Sequence, residues 1–453
     1  MSALSSEVRR LALPAILHSL LQTLVFVVDR IMLGHHGESS LAAMQLGGAI
    51  EWSIWSVFAS FEVGTIARVG RHVGARDPDS ARLAARISLA LAAAVGAVLA
   101  LASPWLLDLL PRIAPNVSPA ALAEARGYLG VTIAASPLVF VATITIATLQ
   151  AGGDTRTPLA IGIVANVVHI ALNYVLIAKL GARGAGISTA LTFALEEVLA
   201  TGALMRVSGS VSLRSGTTPA IGDARVPWRQ EAHLLSGIAV PAFAERVLYH
   251  VGYGGYVLII ARLGDAAMAA NQSLISVESI CFLSADGFGI AAAALVAQKL
   301  GAGEPAAAQR VARIAARDAV VALTLFGATA LALRGVILPL FSRDPQVLAI
   351  GRGAMPVLSV AQPFMAVGIV LAQSLRGAGR TRDALGVSVI GAVIVRLSAT
   401  WFFAMTLGLG LTGVWMGSTL DWMVRSALYV AIGARTAARE AAARVAGGAN
   451  VNP

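Results

Sequence analysis

The sequence predicts an all-α polytopic membrane protein with 12 transmembrane helices in two six-helix lobes related by a parallel internal repeat. Three observations lead to this fold class. The 453 residues are 57% hydrophobic and only 13% charged, with a mean hydropathy of +0.77, whereas soluble domains are about 25% charged. Twelve apolar runs are long enough to cross a bilayer, which takes about 20 helical residues. The two halves of the chain also match each other at a fixed offset.

The apolar runs follow one another along the chain and are separated by glycine and proline residues, which favour breaks. They lie at 11–33, 41–67, 84–110, 120–149, 158–180, 184–205, 236–261, 267–297, 312–341, 346–375, 384–407 and 411–434. The one long polar connection is predicted to be a cytoplasmic linker with a surface helix around Trp228. The predicted domains are an N-terminal lobe at 1–206, the linker at 207–233, a C-terminal lobe at 234–435 and a cytoplasmic tail at 436–453.

An internal repeat relates the two halves. An offset of 227 residues pairs Pro14 with Pro241 and Gly37 with Gly264, and it holds without a gap over many further positions. Because each half has six spans, an even number, both halves insert with the same orientation. Parallel repeats of this kind occur in secondary transporters, whose binding sites lie near the middle of the membrane.

The distribution of basic residues sets the predicted orientation. Of the 34 Lys and Arg residues, 22 fall in the termini and alternate loops and 9 on the opposite side. This asymmetry predicts that both termini are cytoplasmic. The net charge of +10 is therefore interpreted as topological charge and not as a nucleic-acid surface. The single cysteine, Cys281, excludes a disulfide framework within the chain and a cysteine metal cluster.

Asp29 lies within the first apolar span, where a carboxylate is a functional candidate by default. His18 and Gln22 share its helical face, because the 11 residues from His18 to Asp29 turn the helix by about 1100°. Such an acid can load and release a proton. The alternative interpretation is an aspartate near the helix end that reaches interfacial water.

Polar stripes on the fifth and sixth spans point towards the same depth. Asn166, His169 and Asn173 are spaced i, i+3, i+7, so they share one face. Counting residues from each membrane side places Asn173 and Thr192 at the depth of Asp29, with Asn166 and His169 deeper. We therefore predict a polar cation-coupling cluster inside the first lobe, which would be the place for Na+ if Na+ is the coupling ion. The alternative is a set of interhelical hydrogen bonds that hold the bundle together.

The second half has no equivalent acid, because Tyr256 occupies the position that corresponds to Asp29. Glu245 stands where the first half has His18, and its face continues through Tyr249 and Tyr256. An acid beside tyrosines suits a cationic or aromatic ligand; the alternative is a Glu245–Arg246 neighbourhood close to the cytoplasmic surface. Asp286, in the middle of a span, is a weaker candidate for the same cavity.

Other charged residues within the spans are given structural interpretations. Glu51 and Glu278 are related by the repeat, and a residue kept in both halves of a duplicated fold often packs or caps an element. Asp421 and Arg396 are predicted to belong to ion pairs.

Several stretches together resemble the multidrug and toxic compound extrusion (MATE) transporters. They include VVDRIMLGHHG around Asp29, GTIARVGRHVGARDPDSA (64–81), LQAGGDTRTPLAI (149–161), NVVHIALNYVLI from Asn166, AANQSLISVESICF (269–282), AALVAQKLGAGEPAAA (293–308) and QPFMAVGIVLAQSLRGAGRTR (362–382). The resemblance implies two lobes that rock between inward-facing and outward-facing states. It also implies export of cationic or amphipathic compounds against an inward flow of H+ or Na+.

The family pattern also carries over to single residues. The first-helix acid of the family matches Asp29, its fifth-helix polar positions match Asn166 and Asn173, and a sixth-helix hydroxyl matches Thr192. Members with a second fifth-helix acid have it near Asn173, and the tenth-helix acid of some members has no counterpart between 363 and 375. The first departure weakens a Na+ site built from two carboxylates and favours H+, and the second argues against ion coupling in the C-terminal lobe.

The sequence thus predicts a secondary active multidrug exporter of the cell (inner) membrane, a monomer that contacts a small-molecule substrate and the lipid bilayer but no nucleic acid. We expect no enzymatic activity and no cofactor apart from the transported H+ or Na+. Export coupled to Na+ is one alternative. A flippase for lipid-linked saccharides is another, although only Arg246 and Arg396 are available to bind pyrophosphate. An intramembrane enzyme is disfavoured because HExxH, GxSxG and P-loop motifs are missing from the sequence.

Overall fold

The structure, a computed structural model, describes residues 3–115, 117–206 and 226–448, without the side chains of 23–27, 38, 41 and 439–448. These ranges consist of helices and their connections and contain no strand. Most of the predicted linker, 207–225, lies outside the described residues.

Sixteen α-helices follow one another in the described part of the chain. They are α1 Ala3–His36, α2 Glu38–Phe58, α3 Ser60–Gly74, α4 Pro78–Asp108, α5 Leu110–Ile113, α6 Pro119–Ala134, α7 Ser136–Ala151, α8 Arg156–Arg206, α9 Trp228–Ala261, α10 Asp265–Gly301, α11 Pro305–Ala332, α12 Arg334–Ile337, α13 Pro345–Gly377, α14 Thr381–Ser388, α15 Arg396–Trp401 and α16 Gly410–Gly448. A 3-10 turn, Leu338–Leu340, follows α12, and π-helical segments at Val389–Val395 and Phe402–Thr406 flank α15.

Among the described residues, six helical stretches are long and apolar enough to cross a membrane by themselves: α4, α8, α10, α11, α13 and the run Thr381–Thr406. A seventh candidate is the pair α6 and α7, which are bent by 53° at Ala135. The predicted span at 41–67 is divided between α2 and α3, which separate at Ala59. Local sequence explains several helix starts, since α4, α6 and α13 each begin at a proline preceded by an Asp or Ser whose side chain caps the helix.

The long helix α8 is interrupted at Gly181, which lies between the predicted fifth and sixth spans. Gly181 has φ 56° and ψ −137°, a left-handed backbone that favours glycine. A Cβ at this position would also lie 2.7 Å from Oε2 of Glu124. That carboxylate oxygen accepts a hydrogen bond from the backbone N–H of Ala182 at 2.7 Å. The break therefore provides an N–H that Glu124 on α6 binds.

The described chain divides into two compact units. The first unit comprises Leu13–Phe243, and the second comprises the described residues before Leu13 and after Phe243. This division places 234–243 in the first unit, whereas the sequence prediction begins the C-terminal lobe at 234. Two contacts explain the difference: Leu235 packs beside Gly64 of α3, and Glu231 forms an ion pair with the same helix.

Glu231, at the start of α9, is completely buried. Its carboxylate accepts hydrogen bonds from Arg68 Nε and Nη2 at 2.8 and 2.5 Å, and it lies 3.2 Å from His72 Nε2. Burial raises the pKa of Glu231, but the hydrogen bonds and charges of Arg68 and His72 outweigh burial and lower this pKa to about 2. The ion pair attaches the first turn of α9 to α3.

An apolar core orients α1 within the first unit. Leu33 is fully buried and packs in one cluster with Tyr128 of α6 and Ile177 of α8. Because Leu33 lies four residues after Asp29, the two side chains occupy the same face of α1. The packing of Leu33 therefore turns Asp29 into the interior of the first unit.

Candidate functional site

Asp29 is the centre of a buried polar cluster in the first unit. Its side chain is 1% exposed. Oδ1 lies 2.7 Å from Nε2 of His169 and accepts a hydrogen bond from Nδ2 of Asn173 at 2.5 Å. His169 and Asn173 are four residues apart on α8, so both reach α1 from one helical face. The predicted convergence of Asp29 and Asn173 is present in the structure.

A second layer of the cluster surrounds the other nitrogen of His169. Nδ1 lies 3.1 Å from Oγ1 of Thr192 and 3.2 Å from Oγ of Ser188, both on the part of α8 beyond Gly181. The two hydroxyls also donate to backbone carbonyls: Thr192 to Ser188 O at 2.8 Å, and Ser188 to His169 O at 3.2 Å. Because each hydroxyl proton points to a backbone carbonyl, the hydroxyl oxygens can act only as acceptors towards His169. Nδ1 of His169 is therefore the protonated nitrogen that donates to them.

The geometry of the contact between Asp29 and His169 limits where its protons can lie. If Nδ1 carries a proton, the contact of 2.7 Å between Nε2 and Oδ1 requires another proton on one of these two atoms. The pair is then an imidazolium with a carboxylate, or a neutral imidazole with a carboxylic acid. Without this proton, a lone pair on Nε2 would face a negative oxygen, and the contact would be repulsive.

Two oxygen atoms of the cluster have no hydrogen-bond partner among the described residues. They are Oδ2 of Asp29 and Oδ1 of Asn173, and both are buried. Buried acceptors of this kind have an unfavourable free energy until a proton, a water molecule or a cation satisfies them. The described residues contain no group of three or more His, Cys, Asp or Glu side chains that could hold a metal ion.

Three other candidates of the first lobe lie apart from the hydrogen bonds of Asp29. Asn166 donates to the backbone carbonyl of Gly162 at 2.9 Å, within its own helix. His18 is 3% exposed and lies against Gly162, where an added Cβ would be 3.0 Å from Nδ1. Gln22 is half-buried and has no hydrogen bond to Asp29 in the described part of the chain.

Sequence reasoning missed two members of this neighbourhood, Ser188 and Tyr128. Ser188 was not singled out, although it precedes Thr192 by one helical turn and that spacing was a usable signal. Glu51, given a packing role, accepts a hydrogen bond from the buried hydroxyl of Tyr128. The charges of Glu51 and Asp29 are near enough to interact. The spacing of residues along one helix could not identify Tyr128, because this residue lies on α6.

In the second unit, the carboxylate of Glu245 is already occupied. Arg376 donates to it from Nη2 at 2.5 Å and from Nε at 3.2 Å, and Ser388 donates at 2.6 Å. Asp286 accepts a hydrogen bond from Nε2 of Gln373 at 2.7 Å. Both acids are therefore held by neighbouring side chains of their own unit.

The tyrosines of α9 form a ladder. The rings of Tyr249 and Tyr253 stack with centroids 6.4 Å apart, and those of Tyr253 and Tyr256 with centroids 6.1 Å apart. At its far end, Tyr256 lies under the guanidinium of Arg396, at 5.7 Å from the ring centroid. The charged group next to the ladder is therefore an arginine, whereas the sequence pattern had linked the tyrosines to Glu245.

Comparison with known proteins assigns the chain to a family. The profile of the MatE family matches residues 14–175 and again residues 241–402. The two matched stretches are displaced by 227 residues, the offset of the predicted repeat.

Two curated relatives match over nearly the whole chain. A "probable multidrug resistance protein NorM" of Thermotoga maritima is 26% identical over 93% of this chain and 90% of its own. A protein of the same description from Bradyrhizobium diazoefficiens is 28% identical over 94% of this chain and 92% of its own.

Solved structures share the fold. A multidrug resistance MATE family transporter of the MOP superfamily, in an outward-facing conformation, has a TM-score of 0.87 at 19% identity, with 96% of each chain covered. A MOP superfamily transporter from Pyrococcus furiosus Vc1 gives the same TM-score, identity and coverage. Because the MatE profile alone covers well over half of the residues, the chain belongs to the multidrug and toxic compound extrusion (MATE) family.

Proposed function

We propose that this chain is a secondary active exporter that moves cationic or amphipathic small molecules out of the cell in exchange for protons. Membership of the MATE family makes the chain a transporter and not an enzyme. The relatives described as probable multidrug resistance proteins support a broad range of small-molecule substrates. The coupling ion is the finer part of the proposal, and it depends on the Asp29 cluster.

The contact of 2.7 Å between Asp29 and His169 is the single observation that carries proton coupling. An aspartate and a histidine in contact can share a proton that either side chain can release. The two atoms that contact Oδ1 of Asp29 are nitrogens, and nitrogen is a poor ligand for Na+. The replacement of a second fifth-helix acid by Asn173 agrees with this choice.

Release of the shared proton would move α1 relative to α8. The contact between Oδ1 and Nε2 is attractive only while the proton lies between them, so deprotonation removes a link between these helices. A protonation change drives transport only if the two conformations bind the proton with different affinity. We propose that the Asp29–His169 contact meets this condition by breaking when α1 separates from α8 in the other conformation.

Na+ coupling is the second candidate, and one observation favours it. The unpartnered oxygens Oδ2 of Asp29 and Oδ1 of Asn173 are both buried in the same cluster. Oxygen atoms are the ligands of hard cations, and these two would supply part of a coordination shell. The nearby nitrogen donors make this the weaker of the two assignments.

The remaining features of the proposal concern topology. We propose 12 spans in two six-helix lobes, both termini in the cytoplasm, and a monomer in the cell membrane. The proposed domains are those of the sequence prediction, although 234–243 group with the first unit. A lipid-linked saccharide flippase is less well supported, because the mid-span Arg396 shares a carboxylate with another arginine and does not form an array open to pyrophosphate.

Purified protein reconstituted into proteoliposomes, with H+ and Na+ gradients imposed separately, tests the choice of ion. Uptake of a fluorescent organic cation driven by the H+ gradient alone is the expected result. Uptake that requires Na+ and ignores the pH gradient would replace this assignment by the second candidate.

A further inference from the structure

The repeat assigns Arg396 of the second unit a counterpart in the first. The apolar cores of the two units contain residues that are related by the offset of 227: Leu33, Ala43 and Ile177 correspond to Ile260, Ala270 and Ala404. The sequence stretches 149–159 and 375–385 are related by 226 instead. The second unit therefore contains one additional residue between 385 and 404.

A π-helical segment accommodates the additional residue. Val389–Val395 is π-helical, whereas the corresponding residues 163–168 of the first unit belong to the α-helix α8. A π-helical turn links residue i to i+5, so it holds one residue more than an α-helical turn without ending the helix. Because Arg396 follows this segment directly, the offset of 227 applies to it and pairs it with His169.

The equivalence extends to the contact that each side chain makes. In the first unit, Nε2 of His169 lies 2.7 Å from Oδ1 of Asp29. In the second unit, Arg396 lies over the ring of Tyr256, which stands at the position of Asp29, at 5.7 Å from the ring centroid. A guanidinium at this distance is attracted to the face of an aromatic ring. The first and fifth helices of each repeat thus meet through equivalent residues.

The two contacts differ in the origin of their charge. A histidine side chain exists in a charged and a neutral form, whereas an arginine in a protein stays charged. The guanidinium of Arg396 also has a fixed counter-ion, since Asp421 accepts a hydrogen bond from its Nε at 2.8 Å, and the two side chains are 7% and 0% exposed. The position of Asp421 is occupied by Ala194 in the first unit, so His169 has no acid at that place.

The charged and titratable groups around Arg396 lie on three helices. They are Asp421 and Arg425 on α16, Tyr249, Tyr253 and Tyr256 on α9, and Glu278 on α10. Among the described residues, Asp421 is the acid that forms an ion pair with Arg396, and Arg425 shares its carboxylate. The positive charge of Arg396 is therefore held from α16 on one side and faces α9 on the other.

Close packing also joins α9 to the helix that carries Arg396. A Cβ on Gly252 would lie 3.1 Å from a carbonyl oxygen of the π-helical segment, and one on Gly255 would lie 3.2 Å from a side-chain carbon of Leu397. Both distances are shorter than the separation of about 3.5–4.0 Å at which non-bonded atoms attract best. The corresponding residues of α1 are Val25 and Val28, so α9 lacks side chains at two places where α1 carries them.

We infer that Arg396 is a positioning residue whose fixed charge replaces the proton of the Asp29–His169 pair and keeps α9 attached to the run Thr381–Thr406. This inference rests on the proposed proton coupling and deepens it, because it gives a reason why one of two equivalent contacts responds to pH and the other does not. Deprotonation can release α1 in the first unit, whereas the second unit has no proton to release at this place.

Spin-label distances in the purified full-length protein, reconstituted into lipid nanodiscs, test the inference at equivalent sites. The label pairs are Ile31 with Tyr174 in the first unit and Leu258 with Trp401 in the second. All four side chains are exposed, and the pairs are related by the offset of 227. Each pair is replaced by cysteines after the buried Cys281 has been changed to alanine.

The charge at position 396 should determine the distance in the second unit. With Arg396 present, we expect this distance to be the same at about pH 5 and about pH 8, the range over which an unperturbed histidine changes its charge. Arg396→Gln should shift it by about 2 Å, the size of a small helix displacement. Arg396→Lys keeps the charge and should leave it unchanged, whereas Arg396→His should make it depend on pH. Arg352→Gln, which removes an exposed guanidinium from the same unit, is the matched control and should have no effect.

Two results would overturn the inference: a second-unit distance that changes with pH while Arg396 is present, or one that Arg396→Gln leaves unchanged. If Arg396→Gln does not fold, Tyr256→Leu takes its place, because it removes the aromatic face and should shift the same distance, whereas Tyr256→Phe keeps the face and should not. An unshifted distance in Tyr256→Leu would count against the inference equally.

The first-unit pair tests the proposed function separately. We expect the distance between the labels at positions 31 and 174 to change between the two pH values, since release of the proton would free α1 from α8. A distance that ignores pH would refute this movement and with it the proposed coupling at Asp29 and His169. The second-unit pair would still report whether Arg396 holds α9, so the two failures are distinguishable.

Discussion

Replacement of Asp29 by asparagine is expected to abolish accumulation driven by a pH gradient. The hydrogen-bonded cluster of the first unit contains one carboxylate, Asp29, so one proton is expected to cross per cycle. A gradient of one pH unit supplies about 1.4 kcal/mol per proton, which sustains about a tenfold concentration ratio of substrate. The substituted amide could still accept a hydrogen bond from Asn173 but could not exchange a proton, so the ratio should fall to about one.

Proteoliposomes with the membrane potential clamped at zero by potassium and valinomycin provide the assay. A monovalent fluorescent cation is followed until its distribution is constant, so the result reports coupling and not rate. Asp108→Asn is the matched control, because it removes an exposed carboxylate of the same unit that pairs with Arg126; it should preserve the tenfold ratio. An Asp29→Asn protein that still accumulates substrate to the wild-type ratio would disprove the assigned role of this acid.

Three further predictions concern residues that the structure places in specific contacts. His169→Gln retains an N–H donor but takes up no proton, so the pH dependence of transport should flatten while substrate binding is kept, as substrate titrations at several pH values would show. Glu231→Gln should destabilise the detergent-solubilised protein by about 3–5 kcal/mol, because Arg68 is left without its buried partner. Since the pKa of Glu231 is lowered to about 2, its contribution in the wild type is present above about pH 4.5 and is lost as the pH falls towards about 2; melting curves over this range check it, and a flat profile would contradict it. Gly377→Ala should cost about 1–3 kcal/mol because a Cβ would collide with a backbone carbonyl of α10, whereas Gly433→Ala has no atom within 4 Å and should leave the melting temperature unchanged.

The position of Asp29 opposite Asn173 was predictable because both follow from helical periodicity and from span direction. That arithmetic locates a residue to about one helical turn, 5.4 Å, which is too coarse to separate neighbours on the same face. It placed His169 deeper than Asp29, whereas the imidazole contacts the carboxylate directly. It also grouped Asn166 with the cluster, although this amide donates to a carbonyl of its own helix.

Partners that lie far away in the sequence could not be predicted. Glu245 pairs with Arg376, 131 residues later, and the periodicity of one helix says nothing about which residue of another helix it meets. The π-helical segment Val389–Val395 could not be predicted either, because its residues form an ordinary apolar run. The break at Gly181 was predictable, since a glycine between two apolar runs is a common helix terminus.

The repeat shows at which positions the two units differ in chemistry while they share a fold. An offset of 227 replaces Asp29 by Tyr256 and His18 by Glu245, so the second unit has no carboxylate at the position that corresponds to Asp29. Two of its acids, Glu245 and Asp421, are bound by arginines, so both carboxylates already have a charged partner. A duplicated fold can thus separate two tasks that would interfere in one cluster. A substrate ammonium group beside Asp29 would compete with the proton for this carboxylate, whereas a substrate bound in the second unit would leave Asp29 and His169 free to exchange a proton.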